Sequence, residues 1–215
     1  MRYQLAAFDL DGTLVDSVDD LVHVMELLLA ETGRPGQSAE TLRGYIGWGI
    51  RTFVRLAMPD LPPAGLDRMV EAFRRIYWEH LVDTTAPFPG IIDMLDALSG
   101  LTLAVFTNKA DDFTREILRR LGLLDRFAMV VGLQSVTRPK PDPEGLFLLL
   151  RGCSVPAAAA LYTGDSALDI QAGRAASVIT CAAAWSPIRP VAEVLAAGPH
   201  HVLNQPADLV DIARS

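Results

Sequence analysis

The stretch LAAFDLDGTL, residues 5–14, carries two carboxylates, Asp9 and Asp11, directly after a short apolar run. An apolar run of this length is typical of a buried strand, and Gly12 permits the sharp turn with which the chain leaves it. Ligands of parallel α/β sheets collect at the carboxyl ends of the strands. The stretch therefore predicts a strand that ends in a site for chemistry. The alternative is an ordinary surface turn, because Asp and Gly are common turn formers.

Apolar runs recur along the chain. Four more lie at residues 101–106, 128–132, 160–163 and 178–182. Segments with helical periodicity separate them, and one of these segments ends at Gly122, a candidate helix C-terminal residue. Alternating strands and helices predict a parallel sheet with helices on both faces, which is the doubly wound, Rossmann-like α/β class.

Residues 17–85 interrupt this alternation, because they contain no convincing strand and show helical periodicity throughout. Ser17 and the acidic residues after it have the spacing of a capping box at the start of a helix. We therefore expect an α/β core formed by residues 1–16 and 86–215, with an inserted all-helical cap formed by residues 17–85. Such a cap can cover the strand ends as a lid. The alternative is a satellite helical bundle without a gating role.

Polar residues also follow the later strands. Thr107 and Asn108 come after the second strand, Lys140 lies in a proline-rich segment after the third, and Asp165 and Asp169 follow the fourth. A hydroxyl, an amide and an ammonium group can bind phosphate oxygens. The two aspartates lie four residues apart at a predicted helix start and so share a face. Each residue also has an ordinary alternative, as a helix cap, a solvated loop lysine or a favourable charge at a helix N-terminus.

The use of lysine supports a functional interpretation. Lys109 and Lys140 are the only lysines of the chain, and both lie in these strand-end segments. Because arginine serves at the other positively charged positions, a retained lysine indicates a need for a compact ammonium group beside phosphate or carboxylates. This inference is strongest for Lys140.

Composition limits the possible partners. The 215 residues include 19 Lys and Arg against 26 Asp and Glu, a net charge of -7, which disfavours nucleic acid as a partner. No apolar stretch approaches the ~18 residues of a membrane span. The two cysteines lack CxxC spacing, and the N-terminus lacks the apolar length of a signal peptide. These features fit a cytoplasmic monomer or homodimer, and any phosphorylated metabolite that it binds should be small.

The four strand-end segments, in order, resemble the four motifs of the haloacid dehalogenase (HAD) superfamily. The helical insertion after the first strand is similar to the C1 cap of its phosphoglycolate phosphatase-like branch. The resemblance runs the whole length of the chain. It implies that Asp9 is the nucleophile, which forms an aspartyl-phosphate, and that Asp11 protonates the leaving alcohol and then activates water.

The same resemblance implies a cofactor and its ligands. Mg²⁺ would be held by Asp9, the backbone carbonyl of Asp11 and Asp165, which gives the oxygen ligands that this ion prefers. Asp169 would orient the metal-bound waters or Lys140. The remaining polar residues would hold the phosphoryl oxygens: Thr107, Asn108 and Lys140.

Two departures from the family pattern lie near the fifth strand. Ser177 stands where many relatives carry glycine, and Ser186 follows Trp185 where Trp-Gly is common. We expect both to leave the chemistry intact and to affect the shape of the site near the cap.

The resemblance predicts hydrolysis of a phosphomonoester, with 2-phosphoglycolate, giving glycolate and phosphate, as the best candidate substrate. The cap segment Gly47-Trp48-Gly49, with Arg43 and Arg51 nearby, would present a loop and a cation to the substrate carboxylate. Alternatively, these arginines form a solvated helix face and Trp48 is a packing residue. Other functions left open are pyrophosphatase, nucleotide or sugar phosphatase, and a non-catalytic phosphate-binding regulatory module. Carbon–halogen hydrolysis is disfavoured, because relatives with that activity lack an equivalent of Asp11.

Overall fold

The computed structural model of the chain, which describes residues 2–215, is built on a six-stranded parallel sheet. In chain order the strands are β1 (Leu5–Phe8), β2 (Val15–Asp16), β3 (Ala86–Pro87), β4 (Thr102–Phe106), β5 (Met129–Val131), β6 (Ala160–Gly164), β7 (Ile179–Ala183) and β8 (His201–Leu203). The strand order in the sheet is β5-β4-β1-β6-β7-β8, and β2 and β3 form a separate antiparallel pair outside it.

Ten α-helices accompany the strands in the described residues. Four lie between β2 and β3, namely α1 (Val18–Glu31), α2 (Ala39–Arg43), α3 (Ile50–Ala57) and α4 (Pro63–Glu79). The other six follow β3, and they are α5 (Ile91–Ala97), α6 (Asp111–Arg120), α7 (Glu144–Gly152), α8 (Ala167–Ala175), α9 (Val191–Ala196) and α10 (Ala207–Arg214). None of the helices within residues 2–215 is both long enough and apolar enough to cross a membrane.

The predicted α/β class and the five predicted strands are confirmed, with each strand within one residue of its expected ends. The sixth strand, β8, is missing from the sequence prediction. It has three residues, begins with a half-exposed histidine and has an exposed Val202, so it lacks the continuous apolar run by which the other strands are recognised.

Strand β1 lies at the centre of the sheet, paired with β4 on one side and β6 on the other. Its four side chains are all buried and alternate between two layers of the core: Ala6 and Phe8 belong to one hydrophobic cluster, Leu5 and Ala7 to the other. Both faces of the sheet are covered, and the strands of the described sheet contain no aspartate, glutamate, lysine or arginine; Asp9 and Asp165 directly follow β1 and β6.

Aromatic residues hold the inserted helices together and join them to the rest of the molecule. The rings of Phe53 in α3 and Phe73 in α4 lie 5.6 Å apart, and that of Tyr77 in α4 lies 5.0 Å from Phe113 in α6. Tyr77, Phe73 and Phe113 are almost fully buried. Residues 18–79 therefore pack through α4 onto the helix that follows β4.

The start of α1 differs from the predicted capping box. Ser17 makes no side-chain hydrogen bond to the first turn of the helix. Its hydroxyl instead donates to Asp11 at 2.5 Å. The carboxylate of Asp20, which is buried, accepts hydrogen bonds from the backbone N–H and hydroxyl groups of both Thr84 and Thr85 at 2.5–3.1 Å. Asp20 thus joins the beginning of the helical segment to its end.

We expect Asp20→Ala to lower the free energy of unfolding by roughly 2–3 kcal/mol, because it leaves the buried donors of Thr85 without an acceptor. The matched control is Asp19→Ala. Asp19 precedes Asp20 in the same helix but forms an exposed ion pair with Arg43, so its loss should cost less than about 1 kcal/mol. Urea unfolding of the two variants checks this prediction, and equal stabilities would contradict it.

Candidate active site

The carboxyl ends of β1, β4 and β6 form one edge of the sheet, and the predicted site residues meet there. Asp9 follows β1, Thr107 follows β4 and Asp165 follows β6. All three are buried, as are Lys140 and Asp169. The structure brings these side chains together because adjacent parallel strands end side by side.

Three carboxylates form the centre of the site. One oxygen from each of Asp9, Asp165 and Asp169 lies within 4.8 Å of the other two. Burial raises the pKa of Asp9 to about 6, although Lys140 opposes this shift. Burial and the neighbouring Asp169 and Asp9 raise the pKa of Asp165 to about 8. The cluster contains three carboxyl groups in a buried environment. Such an excess of negative charge favours the binding of a cation.

Lys140 supplies positive charge to this cluster. Its Nζ lies 2.9 Å from Asp9 Oδ1 and 2.6 Å from Asp169 Oδ1. Burial alone would lower the pKa of this ammonium group, but the carboxylates of Asp169 and Asp9 raise it above the ordinary value for lysine. Lys140 therefore stays charged next to the predicted nucleophile.

Asp169 is fully engaged by its neighbours. Besides Lys140, it accepts hydrogen bonds from the hydroxyl of Tyr162 at 2.8 Å and from the backbone N–H of Ser166 at 3.0 Å. Ser166 and Asp169 form a reciprocal capping box at the start of α8. These contacts make Asp169 a positioning residue for Lys140.

Asp11 has a different set of partners. Lys109 Nζ lies 3.0 Å from Asp11 Oδ1 and 3.1 Å from Oδ2, and the Ser17 hydroxyl donates to the same carboxylate. Lys109 is buried and lies over the ring of Tyr77, 4.8 Å from its centroid. The scarcity of lysine in the sequence drew attention to Lys109. The spacing of the motifs, however, assigned it no role in the predicted site.

Asn108 connects three parts of the site. Its side-chain oxygen accepts from the backbone N–H of Lys140 at 2.9 Å, and its amide nitrogen donates at 3.3 Å to the carbonyls of Lys140 and Gly47. It is not a helix cap, because α6 begins three residues later with Ala110 in the cap position. Asn108 therefore fixes the lysine loop and contacts the inserted helical segment.

A small cavity lies between these polar residues and the inserted helices. Its volume is about 40 Å³, compared with the roughly 10–15 Å³ that one water needs. The sheet side of the wall is polar and the helical side is apolar or glycine, the lining residues being Asp9, Asp11, Thr107, Asn108 and Lys109 against Leu21, Ile46, Gly47, Gly49, Ile50 and Phe53. The conformation has room for only a few water-sized groups.

The predicted substrate-selecting residues of the cap do not all reach this cavity. Gly47 and Gly49 lie in its wall, but Arg43 and Arg51 do not. The two arginines form exposed ion pairs with Asp19 at 2.9 Å and Asp67 at 2.5 Å, and Trp48 is 46% exposed. Arg43, Trp48 and Arg51 therefore do not line the cavity: α2 and α3 turn the two arginines outwards, and Trp48 lies in the loop between these helices.

The two sequence departures have structural explanations, and one of them touches the site. Ser177 adopts a φ of 59°, a left-handed conformation that favours glycine. The hydroxyl of Ser186 donates to Asp165 Oδ2 at 2.6 Å, a contact that glycine could not make. Ser186 therefore contacts a predicted metal ligand directly.

Gly12 lies against the carboxylate cluster. Its φ is +81°, and a Cβ at this position would lie 2.1 Å from Asp165 Oδ2. Only glycine permits both the turn after β1 and this close approach to Asp165.

Known proteins share the fold and part of the sequence of this chain. The family model described as "Haloacid dehalogenase-like hydrolase" matches residues 6–183. The phosphoglycolate phosphatase of Pseudomonas syringae pv. tomato is 37% identical over 88% of this chain and 73% of its own. The N-acetylmuramic acid 6-phosphate phosphatase of Pseudomonas aeruginosa is 31% identical over 99% of this chain and 95% of its own. The crystal structure of a predicted phosphoglycolate phosphatase from Haemophilus somnus superimposes with a TM-score of 0.92 at 27% identity, covering 99% of this chain and 98% of that one.

Proposed function

The chain belongs to the haloacid dehalogenase-like hydrolase family and is a phosphatase, and from this premise we propose that it hydrolyses a small phosphorylated carboxylic acid, with 2-phosphoglycolate as the best candidate. The observation that carries the proposal is the buried group of Asp9, Asp165 and Asp169 with Lys140 among them. Such a group suits the binding of a cation and a phosphoryl group.

The donor set fits Mg²⁺. Burial is the main cause of the raised pKa values of the Asp9 and Asp165 carboxyls, with a smaller contribution from the neighbouring carboxylates, and a divalent cation would favour their ionised forms. Asp9, Asp165 and the backbone carbonyl of Asp11 would hold the ion, while Asp169 is occupied by Lys140 and Tyr162. When bound, the ion would polarise the phosphoryl oxygens and offset their charge.

We expect Mg²⁺ affinity to depend on pH. The ion requires the carboxylates of Asp165 and Asp9 to be ionised, so the apparent affinity should rise roughly 10–100-fold between pH 6 and pH 8. Without metal, the same raised pKa values make the folded state hold protons that the unfolded state has released above about pH 4. These two groups therefore lower the free energy of unfolding as pH rises from about 4 to 8.

Thermal unfolding with and without Mg²⁺ at pH 6 and pH 8.5 measures this effect. The increase in Tm caused by Mg²⁺ should be larger at pH 8.5. In Asp165→Asn the increase should be small at both pH values. An equal increase for the wild-type protein at both pH values would show that the carboxylates do not control binding of the ion.

The positions of Asp9 and Asp11 support a two-step displacement. A carboxylate oxygen of Asp9 would form a bond to phosphorus as the bond from phosphorus to the leaving oxygen breaks, giving an aspartyl-phosphate. Asp11 would give its proton to the leaving oxygen and later accept a proton from the water that attacks the same phosphorus. The second step returns Asp9 to its carboxylate form and releases phosphate.

The other polar residues would act on the transferred phosphoryl group. Lys140 Nζ lies beside the attacking carboxylate, so it would offset the negative charge of the phosphoryl oxygens. Thr107 lies in the cavity wall and can donate a hydrogen bond there. Asn108 also lines the cavity and bonds the backbone of both Lys140 and Gly47. We propose that these contacts couple phosphate binding to the position of the inserted helices.

Residues 17–85 are proposed to act as a cap over this site. Leu21, Ile46 and Phe53 from this segment form one wall of the cavity. Because an intact substrate is larger than a few waters, its entry requires this wall to move. Closure would then exclude water from the phosphoryl transfer.

Two substrates can be ranked by size and polarity. The names of the relatives refer to phosphoglycolate and to N-acetylmuramic acid 6-phosphate, both of which carry a carboxylate as well as a phosphate ester. The helical wall of the cavity is apolar and offers few partners for sugar hydroxyls. We therefore favour the shorter substrate and retain the sugar acid phosphate as the second candidate.

The test is Mg²⁺-dependent phosphate release from 2-phosphoglycolate, N-acetylmuramic acid 6-phosphate, a nucleoside monophosphate and pyrophosphate, ranked by kcat/KM. A clear preference for 2-phosphoglycolate supports the proposal. A preference for another member replaces the substrate while keeping the phosphatase chemistry. An absence of turnover on the whole panel would favour the phosphate-binding module.

A further inference from the structure

Lys109 has an environment that its place next to the phosphate-binding residues does not explain. Its side chain is 4% exposed, pairs with both oxygens of Asp11 and packs on the ring of Tyr77. Placing an ammonium group out of water is costly unless it serves a partner. Asp11 already has a second donor in the Ser17 hydroxyl, so holding this carboxylate is not a sufficient role for a buried lysine.

The cavity shows what else Lys109 can bind. Among residues 2–215, it is the one cationic side chain in the cavity wall. The helical part of the wall contributes apolar side chains and glycines, and the cap arginines Arg43 and Arg51 form ion pairs elsewhere. The helix α3 begins at the same wall, next to Gly49, so the positive end of its dipole adds to the attraction for an anion.

The position of Lys109 along the substrate follows from its contact with Asp11. Lys109 Nζ lies 3.0 Å from Asp11 Oδ1 before Asp11 turns to the ester oxygen. A rotation of the Asp11 side chain leaves Lys109 in place, beside the atoms that follow this oxygen. In a phosphorylated 2-hydroxy acid, the carboxylate carbon is two bonds from the ester oxygen. A carboxylate at this position can reach the ammonium group of Lys109.

We propose that Lys109 is the residue that selects a carboxylate next to the phosphate ester, and that this carboxylate replaces Asp11 as the partner of Lys109. The exchange keeps one carboxylate on the buried ammonium group throughout, and Asp11 takes up a proton from solvent as it leaves Lys109, so neither group is left as an unpaired charge. It also frees the side chain of Asp11 to turn to the leaving oxygen. A substrate without the carboxylate leaves Asp11 bound to Lys109. Lys109 would therefore both select the substrate and control the release of Asp11.

This inference rests on the proposed phosphatase function, and its test uses binding so that the two can fail separately. The probes are 3-phosphonopropionate and propylphosphonate, which mimic 2-phosphoglycolate and ethyl phosphate with a methylene group in place of the ester oxygen. The first carries the carboxylate and the second a methyl group. Their Kd values are measured by calorimetry with Mg²⁺ on the full chain. The wild-type protein should bind 3-phosphonopropionate roughly tenfold or more tightly than propylphosphonate.

Three variants separate selection from a structural role. Lys109→Met and Lys109→Gln should each reduce the ratio of the two Kd values to near one. The glutamine side chain can still donate a hydrogen bond to Asp11, so this variant remains informative if Asp11 needs such a donor for folding. Arg51→Met is the matched control, since it removes a cap cation whose ion pair is exposed, and its ratio should equal that of the wild-type protein. A preference that survives in both Lys109 variants, or a wild-type protein with no preference, would overturn the inference.

Turnover then distinguishes the two proposals. Hydrolysis of 2-phosphoglycolate with a ratio of Kd values that is independent of Lys109 would refute the role of Lys109 and keep the proposed function. A ratio that depends on Lys109, without hydrolysis of 2-phosphoglycolate, would keep the carboxylate site and require a different phosphorylated acid as substrate.

Discussion

Replacing Asp9 with asparagine is expected to lower kcat by at least about 10⁴-fold, the scale of loss seen when a nucleophile is removed. An amide is a poor nucleophile, so the covalent intermediate cannot form. The substitution keeps the size of the side chain and an oxygen that can still accept from the backbone N–H of Leu10, as the Asp9 carboxylate does at 2.7 Å. The fold should therefore survive. Single-turnover assays and circular dichroism of the same preparation measure both effects.

The informative control for Asp9→Asn is Asp11→Asn. This variant keeps the nucleophile, so it should still form an aspartyl-phosphate with a substrate that has a good leaving group, such as p-nitrophenyl phosphate. A phosphorylated protein detected by mass spectrometry in Asp11→Asn, and not in Asp9→Asn, would assign the two roles. Near-normal turnover by Asp9→Asn would refute the assignment of the nucleophile.

The second large effect is expected for Asp169→Asn. This change removes the charge that faces Lys140 at 2.6 Å in a fully buried position. Because Asp9 still faces the ammonium group, we expect a loss of about 3 kcal/mol in the free energy of unfolding, the lower end for a broken buried ion pair. Lys140 would also shift towards Asp9, and a displacement of about 1 Å can cost roughly 100-fold in rate.

Tyr162→Phe is the matched control for Asp169→Asn, because it removes one hydrogen-bond donor from Asp169 and keeps the charge. It should cost about 1–2 kcal/mol and less activity than Asp169→Asn. Urea unfolding and kcat/KM of both variants provide the comparison. If Asp169→Asn were as stable and active as the wild-type protein, Asp169 would not be the residue that positions Lys140.

Strand ends were the part of the site most open to prediction from the sequence. Asp9, Thr107 and Asp165 each follow a buried apolar run directly, and parallel strands bring such positions to one edge of the sheet. Lys140 was recognisable by its proline-rich segment and by the scarcity of lysine in the chain. In these cases local pattern and sheet geometry are sufficient.

Contacts made between distant segments could not be predicted in the same way. Ser17 has the correct spacing for a capping box, but its hydroxyl donates to Asp11 and makes no hydrogen bond to the first turn of α1. Arg43 and Arg51 lie close in sequence to the glycines of the cavity wall, but the orientation of their helices turns them outwards. The environment of Lys109 depends on Tyr77 in α4, whose position is set by packing against α6.

The pairing of β2 with β3 has a consequence for the evolution of this molecule. Val15 lies opposite Pro87, so the chain leaves the sheet and returns to it through two neighbouring strands. A segment whose ends are adjacent can be replaced or lengthened at modest entropic cost, as a surface loop can. Recombination at this point would exchange the helices of the proposed cap while leaving Asp9 and Asp11 in place. New substrate ranges can therefore arise without rebuilding the chemistry.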